Sequence, residues 1–259
     1  MTDTFSGRQI IVTGGGRGIG KAVALAFAKG GGGVHTISHS ANAVAAADEI
    51  AAAGGRAHGH VGSVADEAFC KSVVEGIERE AGAVDILVNA AAMLGPHGNF
   101  AGLSMDDFRD VLMTNLMGTC NLMRWCLPAM TRKGFGRIVN FAGGGAAYSY
   151  PEFSPYGVSK AAVVRLTETV ADEVAATGVT ANVIAPGAVA TDMLTEVKRR
   201  GGEVRTVVGI EEPVNLVLFL AGPDAGHITG RFIHARDNYR DATLFETKDM
   251  LKLRRTERR

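Results

Sequence analysis

Short apolar runs alternate with longer amphipathic segments along most of the chain. The apolar runs predict buried strands, at residues 9–13, 34–38, 57–61, 84–89, 137–141, 180–184 and 231–234. The amphipathic segments predict helices, at residues 18–29, 43–53, 66–80, 105–132, 154–176 and 212–220. Apolar strands separated by helices are typical of a parallel sheet that is covered on both faces. The pattern therefore predicts an α/β fold with a Rossmann-type, doubly wound parallel sheet of about seven strands.

No linker, internal repeat or low-complexity segment divides the chain, so we expect a single domain over residues 1–259. Its core should span about residues 7–235, followed by a polar tail at 236–259 whose basic residues are interpreted as solvated. The hydrophobic fraction of 46% supports a globular core. The formal net charge of zero argues against a nucleic-acid partner.

Cysteine usage and hydropathy indicate where such a chain works. Cys70, Cys120 and Cys126 are odd in number and match no metal-ligand spacing, so we expect reduced thiols and no metal site. The first residues are polar and lack the apolar core of a signal peptide. No apolar run approaches the ~20 residues of a membrane span. These observations predict a cytoplasmic protein without a membrane partner.

A glycine-rich segment, TGGGRGIG at residues 13–20, lies between the first predicted strand and the first predicted helix. Glycines allow a tight turn and a close backbone approach to a pyrophosphate, while the helix N-terminus supplies N–H donors. The strand before it and the helix after it favour a dinucleotide site over an ordinary turn.

Tyr156 and Lys160 begin a predicted helix in the segment YGVSK. Their i, i+4 spacing places both side chains on one helix face. An ammonium beside a phenol favours the phenolate, so we expect the pKa of Tyr156 to be lowered toward neutral pH. Tyr156 is thereby a candidate general acid/base.

The order and spacing of the glycine-rich segment, Asn89, Asn115 and the Tyr156–Lys160 pair resemble the classical short-chain dehydrogenase/reductase family. The resemblance covers about residues 7–235 and includes DILVN at 85–89 and NVIAPGAVAT at 182–191. It implies an oxidoreductase that transfers a hydride between NADP(H) or NAD(H) and a secondary alcohol or ketone. It also implies a small-molecule substrate and a homo-oligomer, either a tetramer or a dimer.

The resemblance further implies roles for individual residues. Tyr156 would exchange a proton with the substrate oxygen, Lys160 would bind the nicotinamide ribose and tune Tyr156, and Asn115 would hold a water of the proton relay. The residues implied to hold the cofactor are Gly14, Arg17, Gly18, Ile19, Gly20, Ser63, Val64, Asn89, Ala90, Ala91, Tyr156, Lys160, Pro186, Gly187, Val189 and Thr191.

The chain departs from the family pattern at Gly143, thirteen residues before Tyr156, where the family normally has its catalytic serine. Losing one such hydrogen-bond donor costs about 3 kcal/mol of transition-state stabilisation. Either Ser149 or Tyr148 reaches back into the site, or backbone N–H groups of the glycine run replace the hydroxyl. A third interpretation is a plain tight loop in a slow or specialised enzyme.

The end of the second predicted strand bears on cofactor choice. An acidic residue there would bind the ribose hydroxyls of NAD, but the chain has Ser38, His39 and Ser40. Hydroxyls, an imidazole and Arg17 can together receive a 2′-phosphate. NADP(H) is therefore favoured over NAD(H).

Other residues bear on the substrate. His97 follows the fourth predicted strand and is a candidate pocket residue. The basic segment 192–209 is expected to form a solvated helix end or a lid suited to a polar or acidic substrate. His234 and Arg236 alternate on a strand-like run, at a subunit contact or facing an anionic substrate.

Because Gly143 replaces the catalytic serine of the family, two alternatives to a redox function stay open. One is a ligand-binding or regulatory protein on the same fold. The other is an epimerase or dehydratase that uses the nicotinamide only transiently.

Overall fold

Seven parallel strands form one sheet in the computed structural model, which describes residues 3–204, 207–247 and 251–254. The strand order is β3-β2-β1-β4-β5-β6-β7, a doubly wound arrangement that confirms the predicted fold class. The strands are β1 (Gln9–Thr13), β2 (Gly33–Ser38), β3 (Arg56–Val61), β4 (Ile86–Asn89), β5 (Gly136–Phe141), β6 (Val179–Ala185) and β7 (Phe232–His234).

Helices connect the strands and cover both faces of the sheet. They are α1 (Gly18–Lys29), α2 (Asn42–Ala52), α3 (Glu67–Ala81), α4 (Met105–Leu112), α5 (Gly118–Lys133), α6 (Ser154–Glu173), α7 (Asp192–Arg199) and α8 (Glu211–Ala221). No helix within the described residues is both long and apolar enough to cross a membrane. The described residues also contain no group of metal-ligating side chains.

Two elements differ from the sequence-based expectation. The helix predicted at 105–132 is interrupted by a π-helical turn at Met113–Met117, because one extra residue per turn leaves the apolar pattern almost unchanged. The segment after β6, expected as a solvated helix end or a lid, contains the short helix α7, whose Met193 and Val197 pack partly buried against Phe153 and Tyr156.

The sheet separates two apolar layers. One face packs against α1 and α8 through residues such as Val23, Phe27 and Leu216. The other packs against α3, α5 and α6 through residues such as Val74 and Leu122. Since both faces are covered, the central strands β1 and β4 are largely apolar and buried along their length.

The described part of the C-terminal tail lies against the body of the protein. The Phe232 backbone N–H donates to the Leu251 carbonyl at 2.6 Å, and the Leu253 N–H donates to Glu168 Oε1 on α6 at 2.7 Å. The Lys252 side chain is only 8% exposed and lies 3.7 Å from Asp172. The expectation of a solvated tail is therefore wrong for Leu251–Leu253, while its basic residues Lys248, Arg255, Arg258 and Arg259 lie outside the described residues.

Candidate active site

A cleft of about 390 Å³ opens at the carboxyl edge of the sheet. It brings together residues from the glycine-rich segment, the loop after β5, α6, the loop after β6, α7 and the end of β7. Its described lining residues are Ile19, Leu94, Gly143, Gly144, Ala147, Tyr148, Tyr150, Tyr156, Ala185, Pro186, Gly187, Ala188, Val189, Thr191, Met193, Leu194, Val197, Glu203, Val204, Phe232, His234 and Asp237. The edge position is where ligands bind in open α/β sheets.

The glycine-rich segment packs too tightly to accept side chains. A Cβ atom at Gly20 would overlap the Gly14 carbonyl oxygen and lie 2.8 Å from its carbon. One at Gly16 would lie 2.7 Å from Asn42 Cβ, and one at Gly14 would lie 3.0 Å from the Ala91 nitrogen. The loop therefore lies directly on the end of β4 and on α2, with the first turn of α1 leaving N–H groups unpaired within the helix.

The end of β4 lies beside this loop. The Ala91 N–H donates to Thr13 Oγ1 at 3.0 Å, and the adjacent Ala90 is half-buried. Asn89 Nδ2 donates to Asn140 Oδ1 at 2.9 Å, joining β4 to β5 below the cleft. Asn89 thus supports the sheet and does not line the cleft.

Tyr156 and Lys160 are both buried on one face of α6, with only 8% and 2% of their surfaces exposed. Burial raises the pKa of Tyr156, with smaller contributions from Tyr150 and Tyr148. Burial also lowers the pKa of Lys160 to about 8. Lys160 Nζ donates to the Phe141 carbonyl at 2.9 Å and lies 5.7 Å from the centroid of the Tyr156 ring. The predicted lowering of the Tyr156 pKa is therefore wrong for this structure, because burial disfavours the charged phenolate.

Gly143 and the Tyr156 hydroxyl compete for one volume. A Cβ atom at Gly143 would overlap Tyr156 Oη and lie 3.0 Å from Cζ. Among the described residues, Tyr156 Oη makes one weak hydrogen-bond contact, to Met193 Sδ at 4.0 Å. The N–H groups of Gly143, Gly144 and Gly145 donate to no acceptor within the described chain. The absent side chain thus leaves space for the phenol and free backbone donors nearby.

Asn115 occupies the π-helical turn and is fully buried. Its Oδ1 accepts the Met93 N–H at 2.8 Å, and its Nδ2 donates to the Met93 carbonyl at 2.9 Å and to Ser159 Oγ at 3.0 Å. Both amide hydrogens are therefore used by protein groups. The side chain ties the segment after β4 to α6, where Tyr156 lies, rather than reaching toward a water.

The loop after β6 brings Pro186, Gly187, Val189 and Thr191 into the cleft. Thr191 caps α7, since its Oγ1 accepts the Leu194 N–H at 3.4 Å. A Cβ atom at Gly18 would lie 3.4 Å from Thr191 Cγ2, so the start of α7 approaches the glycine-rich segment.

Arg17 and the basic residues of α7 form ion pairs. Arg17 Nη1 lies 3.0 Å from Asp192, with both side chains largely exposed. Arg199 and Arg200 both pair with Glu196, and Arg200 Nη1 donates to the Gly95 carbonyl at 2.6 Å. No described basic side chain of α7 lines the cleft, which contradicts a lid suited to an acidic substrate; Arg205 lies outside the described residues.

The residues predicted beside the adenosine end lie at or just after the ends of β2 and β3, which are on the opposite side of β1 from β4. Ser38 ends β2, with its Oγ 3.3 Å from Ser40 Oγ, and His39 is exposed. Ser63 is exposed, and its Oγ accepts the Ala65 N–H at 3.2 Å. Val64 is buried, and its carbonyl accepts the Asn121 amide at 3.0 Å.

Two candidate substrate residues lie outside the cleft. Ser149 is exposed and does not line it, whereas Tyr148 does, so only one of the two proposed side-chain replacements has access. His97 also does not line the cleft; its ring packs on Phe153 at 4.7 Å, and its Nε2 lies 3.3 Å from Glu152.

Sequence reasoning missed several lining residues. Tyr150 stacks on Phe153 at 4.7 Å, and Leu94, Met193 and Asp237 complete apolar and acidic parts of the wall. In the sequence these residues are marked only by lying after a strand or within the lid segment. That position does not distinguish a residue that lines the cleft from its neighbours along the chain.

Comparison with known proteins agrees with this geometry. The short chain dehydrogenase family matches residues 8–201. The 3-oxoacyl-[acyl-carrier-protein] reductase FabG of Escherichia coli (strain K12) is 33% identical over 237 residues, covering 89% of this chain and 96% of the relative.

Solved structures give the same result. A putative NAD(P)-dependent gluconate 5-dehydrogenase from Beutenbergia cavernae, with bound NADP, has a TM-score of 0.82 at 32% identity, covering 91% of this chain and 97% of its own. An NAD⁺-bound xylitol dehydrogenase has a TM-score of 0.83 at 28% identity, covering 89% and 98%. The chain therefore belongs to the short-chain dehydrogenase family of NAD(P)-dependent oxidoreductases.

Proposed function

We propose that this protein transfers a hydride between NADP(H) and a secondary alcohol or ketone, with Tyr156 as the general acid/base. The observation that carries the proposal is that Tyr156 lines one cleft with Ile19, from the glycine-rich segment, and with Pro186 and Gly187. A proton donor, a phosphate-binding turn and the loop after β6 therefore meet at the carboxyl edge of the sheet.

The residues present fit a dinucleotide. The glycine-rich segment forms a cradle that Cβ atoms would fill, and the unpaired N–H groups of the first turn of α1 suit a pyrophosphate. Gly14, Gly18, Gly20 and Arg17 would hold it there. Ser63 and Val64 would lie beside the adenine, Ala90 and Ala91 near the ribose, and Lys160 would bind the nicotinamide ribose. When bound, the nicotinamide supplies or accepts the hydride.

The chain itself supplies the proton and the orientation. Because burial raises the pKa of Tyr156, its phenol is protonated at neutral pH, the state that donates to a ketone oxygen. Asn115 acts as a positioning residue by tying Met93 to Ser159 on α6. Backbone N–H groups of Gly143–Gly145, or the Tyr148 hydroxyl, would polarise the carbonyl in place of the missing serine.

The choice of NADP(H) rests on the end of β2. Ser38 and Ser40 lie within 3.3 Å of each other through their hydroxyls and His39 is exposed beside them, so the position offers no carboxylate to repel a 2′-phosphate. The ion pair of Arg17 with Asp192 must open before Arg17 can contribute.

The test is turnover of NADPH and of NADH, followed by the absorbance of the reduced nicotinamide, across polyols, sugars, hydroxy acids and cyclic ketones. We expect turnover of a ketone with a higher kcat/KM for NADPH. A strong preference for NADH would overturn the cofactor choice. Tight cofactor binding without net turnover of any substrate would overturn the redox function.

Gly143 favours a second candidate, a non-redox protein on the same fold that binds a ligand or regulates, or an epimerase or dehydratase. Without the serine hydroxyl the site lacks one donor to the substrate oxygen. An epimerase or dehydratase would convert its substrate with no net change in absorbance of the nicotinamide, whereas a ligand-binding protein would leave the compound unchanged.

We also propose that the protein is a cytoplasmic homo-oligomer, a tetramer or a dimer. Its three cysteines are all free thiols, as a reducing compartment maintains them. Large apolar side chains at Phe100, Met105, Met113 and Met117 are exposed on and around α4, which suits a subunit contact.

A further inference from the structure

His234 is a polar group of the cleft that proton transfer by Tyr156 does not use. It is the last residue of β7, and the parallel register pairs it with Ala185, the residue before Pro186. The imidazole is therefore at the same edge of the sheet as the loop beside the proposed nicotinamide position. The alternation of His234 and Arg236 along the sequence predicts one shared face, but the Arg236 side chain turns away and donates to Glu212 on α8 at 3.1 Å.

Hydrogen bonds to the protein determine which imidazole nitrogen is available. His234 Nδ1 accepts the Arg236 backbone N–H at 3.1 Å, and the His234 backbone N–H donates to Asp237 Oδ2 at 2.7 Å. A neutral imidazole has one N–H, which must then be on Nε2. Nε2 has no acceptor within the described residues, so this N–H is available to a ligand in the cleft that His234 lines.

The other residues that line the cleft indicate which kind of substrate can reach this donor. Leu94, Met193, Leu194 and Val197 form an apolar wall, and Tyr148 and Tyr150 add aromatic rings. The described lining contains no lysine or arginine. An anionic group against the apolar wall would lose its hydration without a described cation in return, so the lining favours an uncharged substrate with an apolar body.

We propose that the substrate is an uncharged ketone or alcohol with an apolar body and a second oxygen, and that His234 Nε2–H donates a hydrogen bond to this second oxygen. The inference rests on the proposed hydride transfer, in which Tyr156 meets the reacting oxygen. His234 would set specificity, and it leaves proton transfer to Tyr156.

Two variants separate the donor from a structural role. In His234→Asn the amide oxygen takes the place of Nδ1 and keeps the Arg236 contact, but no donor extends to the Nε2 position. In His234→Gln the amide nitrogen extends to the Nε2 position and keeps the donor. The probes are cyclohexanone, 1,4-cyclohexanedione and 4-oxocyclohexane-1-carboxylate, with kcat/KM and the dione-induced shift in Tm measured for the wild type and both variants.

We expect the wild type to prefer the dione over cyclohexanone by about tenfold or more, the effect of one hydrogen bond. His234→Gln should keep this preference, and His234→Asn should lose it. The carboxylate should be the poorest substrate.

Other outcomes overturn the proposal. Equal preferences in all three proteins, a defect in His234→Gln alone, or turnover of the carboxylate at the rate of the dione would each contradict it while leaving hydride transfer intact. If no ketone is turned over, the proposed function fails, and the dione-induced shift in Tm decides the role of His234. A shift lost only in His234→Asn would support the donor, and any other pattern, including no shift in the wild type, would overturn it.

Discussion

At the scale of single residues, the relation between Gly143 and Tyr156 distinguishes this site. The phenol lies where a side chain at residue 143 would begin, so the glycine is matched to this position of the tyrosine. A serine would add a hydroxyl donor but displace the group that carries the proton. The substitution Gly143→Ser would therefore gain a hydrogen-bond donor and displace the proton-donating phenol.

Gly143→Ser should not raise kcat/KM, and we expect a loss of about tenfold or more, because the overlap moves Tyr156 out of position. Steady-state kinetics on the best ketone of the panel measure this, with Gly144→Ser as a neighbouring control. A gain of about a hundredfold would mean that no group replaces the serine hydroxyl.

The residue scale also shows the limits of sequence reasoning. The spacing of Tyr156 and Lys160 correctly places both on one face of α6, since helix periodicity depends on spacing alone. The pKa of Tyr156 depends on burial against Leu94, Phe153 and α7, which no local pattern reveals. His234 could be placed at a strand end, but its hydrogen bond to Arg236 depends on the turn that follows.

At the scale of secondary structure, elements bounded by glycine were the easiest to predict. β1 and α1 have the predicted bounds because a glycine-rich segment separates them and Gly30 ends the helix. The π-helical turn could not be predicted, since its apolar pattern continues that of the flanking helices. α7 was expected only as a solvated helix end, because eight residues give a short pattern and the packing of Met193 and Val197 on Tyr156 and Phe153 depends on the tertiary fold.

The edge of the sheet contains a cluster of three histidines on β2 and β3. His35 is 6% exposed, with Nδ1 3.2 Å from His60 Nε2 and Nε2 3.2 Å from Gln9 Oε1. His35 stacks on both His58 and His60 at 5.4 Å between ring centroids. Burial, then the charges of His60 and His58, lower the pKa of His35 to about 3. Burial also lowers the pKa of His60, which Glu80 partly opposes.

The folded protein should lose stability as the pH falls from about 6.5 toward about 3, since the unfolded chain binds the proton that folded His35 excludes. His35 alone should cost about 2 kcal/mol of unfolding free energy between about pH 7.5 and pH 5. Urea denaturation at both pH values measures this. His35→Leu should reduce the difference by about that amount, and the exposed His39→Gln should leave it unchanged. An undiminished difference in His35→Leu would contradict the assignment.

At the scale of the whole molecule, the C-terminal tail hydrogen-bonds to both β7 and α6. Beyond its backbone contacts, Leu253 packs on the cluster around Val163 and Val164. Arg231, only 8% exposed, donates to the Thr247 carbonyl at 2.7 Å. Glu168, 2% exposed, loses the N–H of Leu253 if the tail is removed.

A chain that ends at Glu246 should therefore unfold with about 2–4 kcal/mol less free energy, from lost packing and unpaired buried polar groups. Denaturant unfolding compares it with a chain that ends at Arg254, which retains the described contacts. Equal stability of the two would show that the tail contributes nothing to the fold.

Tyr156 is proposed to transfer the proton during reduction of a ketone in this cleft. The most direct measurement is kcat of Tyr156→Phe with saturating NADPH, together with the Kd of the cofactor and with Tyr150→Phe as a control from the same wall. We predict that kcat falls by about 10²–10⁴-fold in Tyr156→Phe, with an unchanged Kd, and that Tyr150→Phe stays close to the wild type. Turnover by Tyr156→Phe at the wild-type rate would contradict the account.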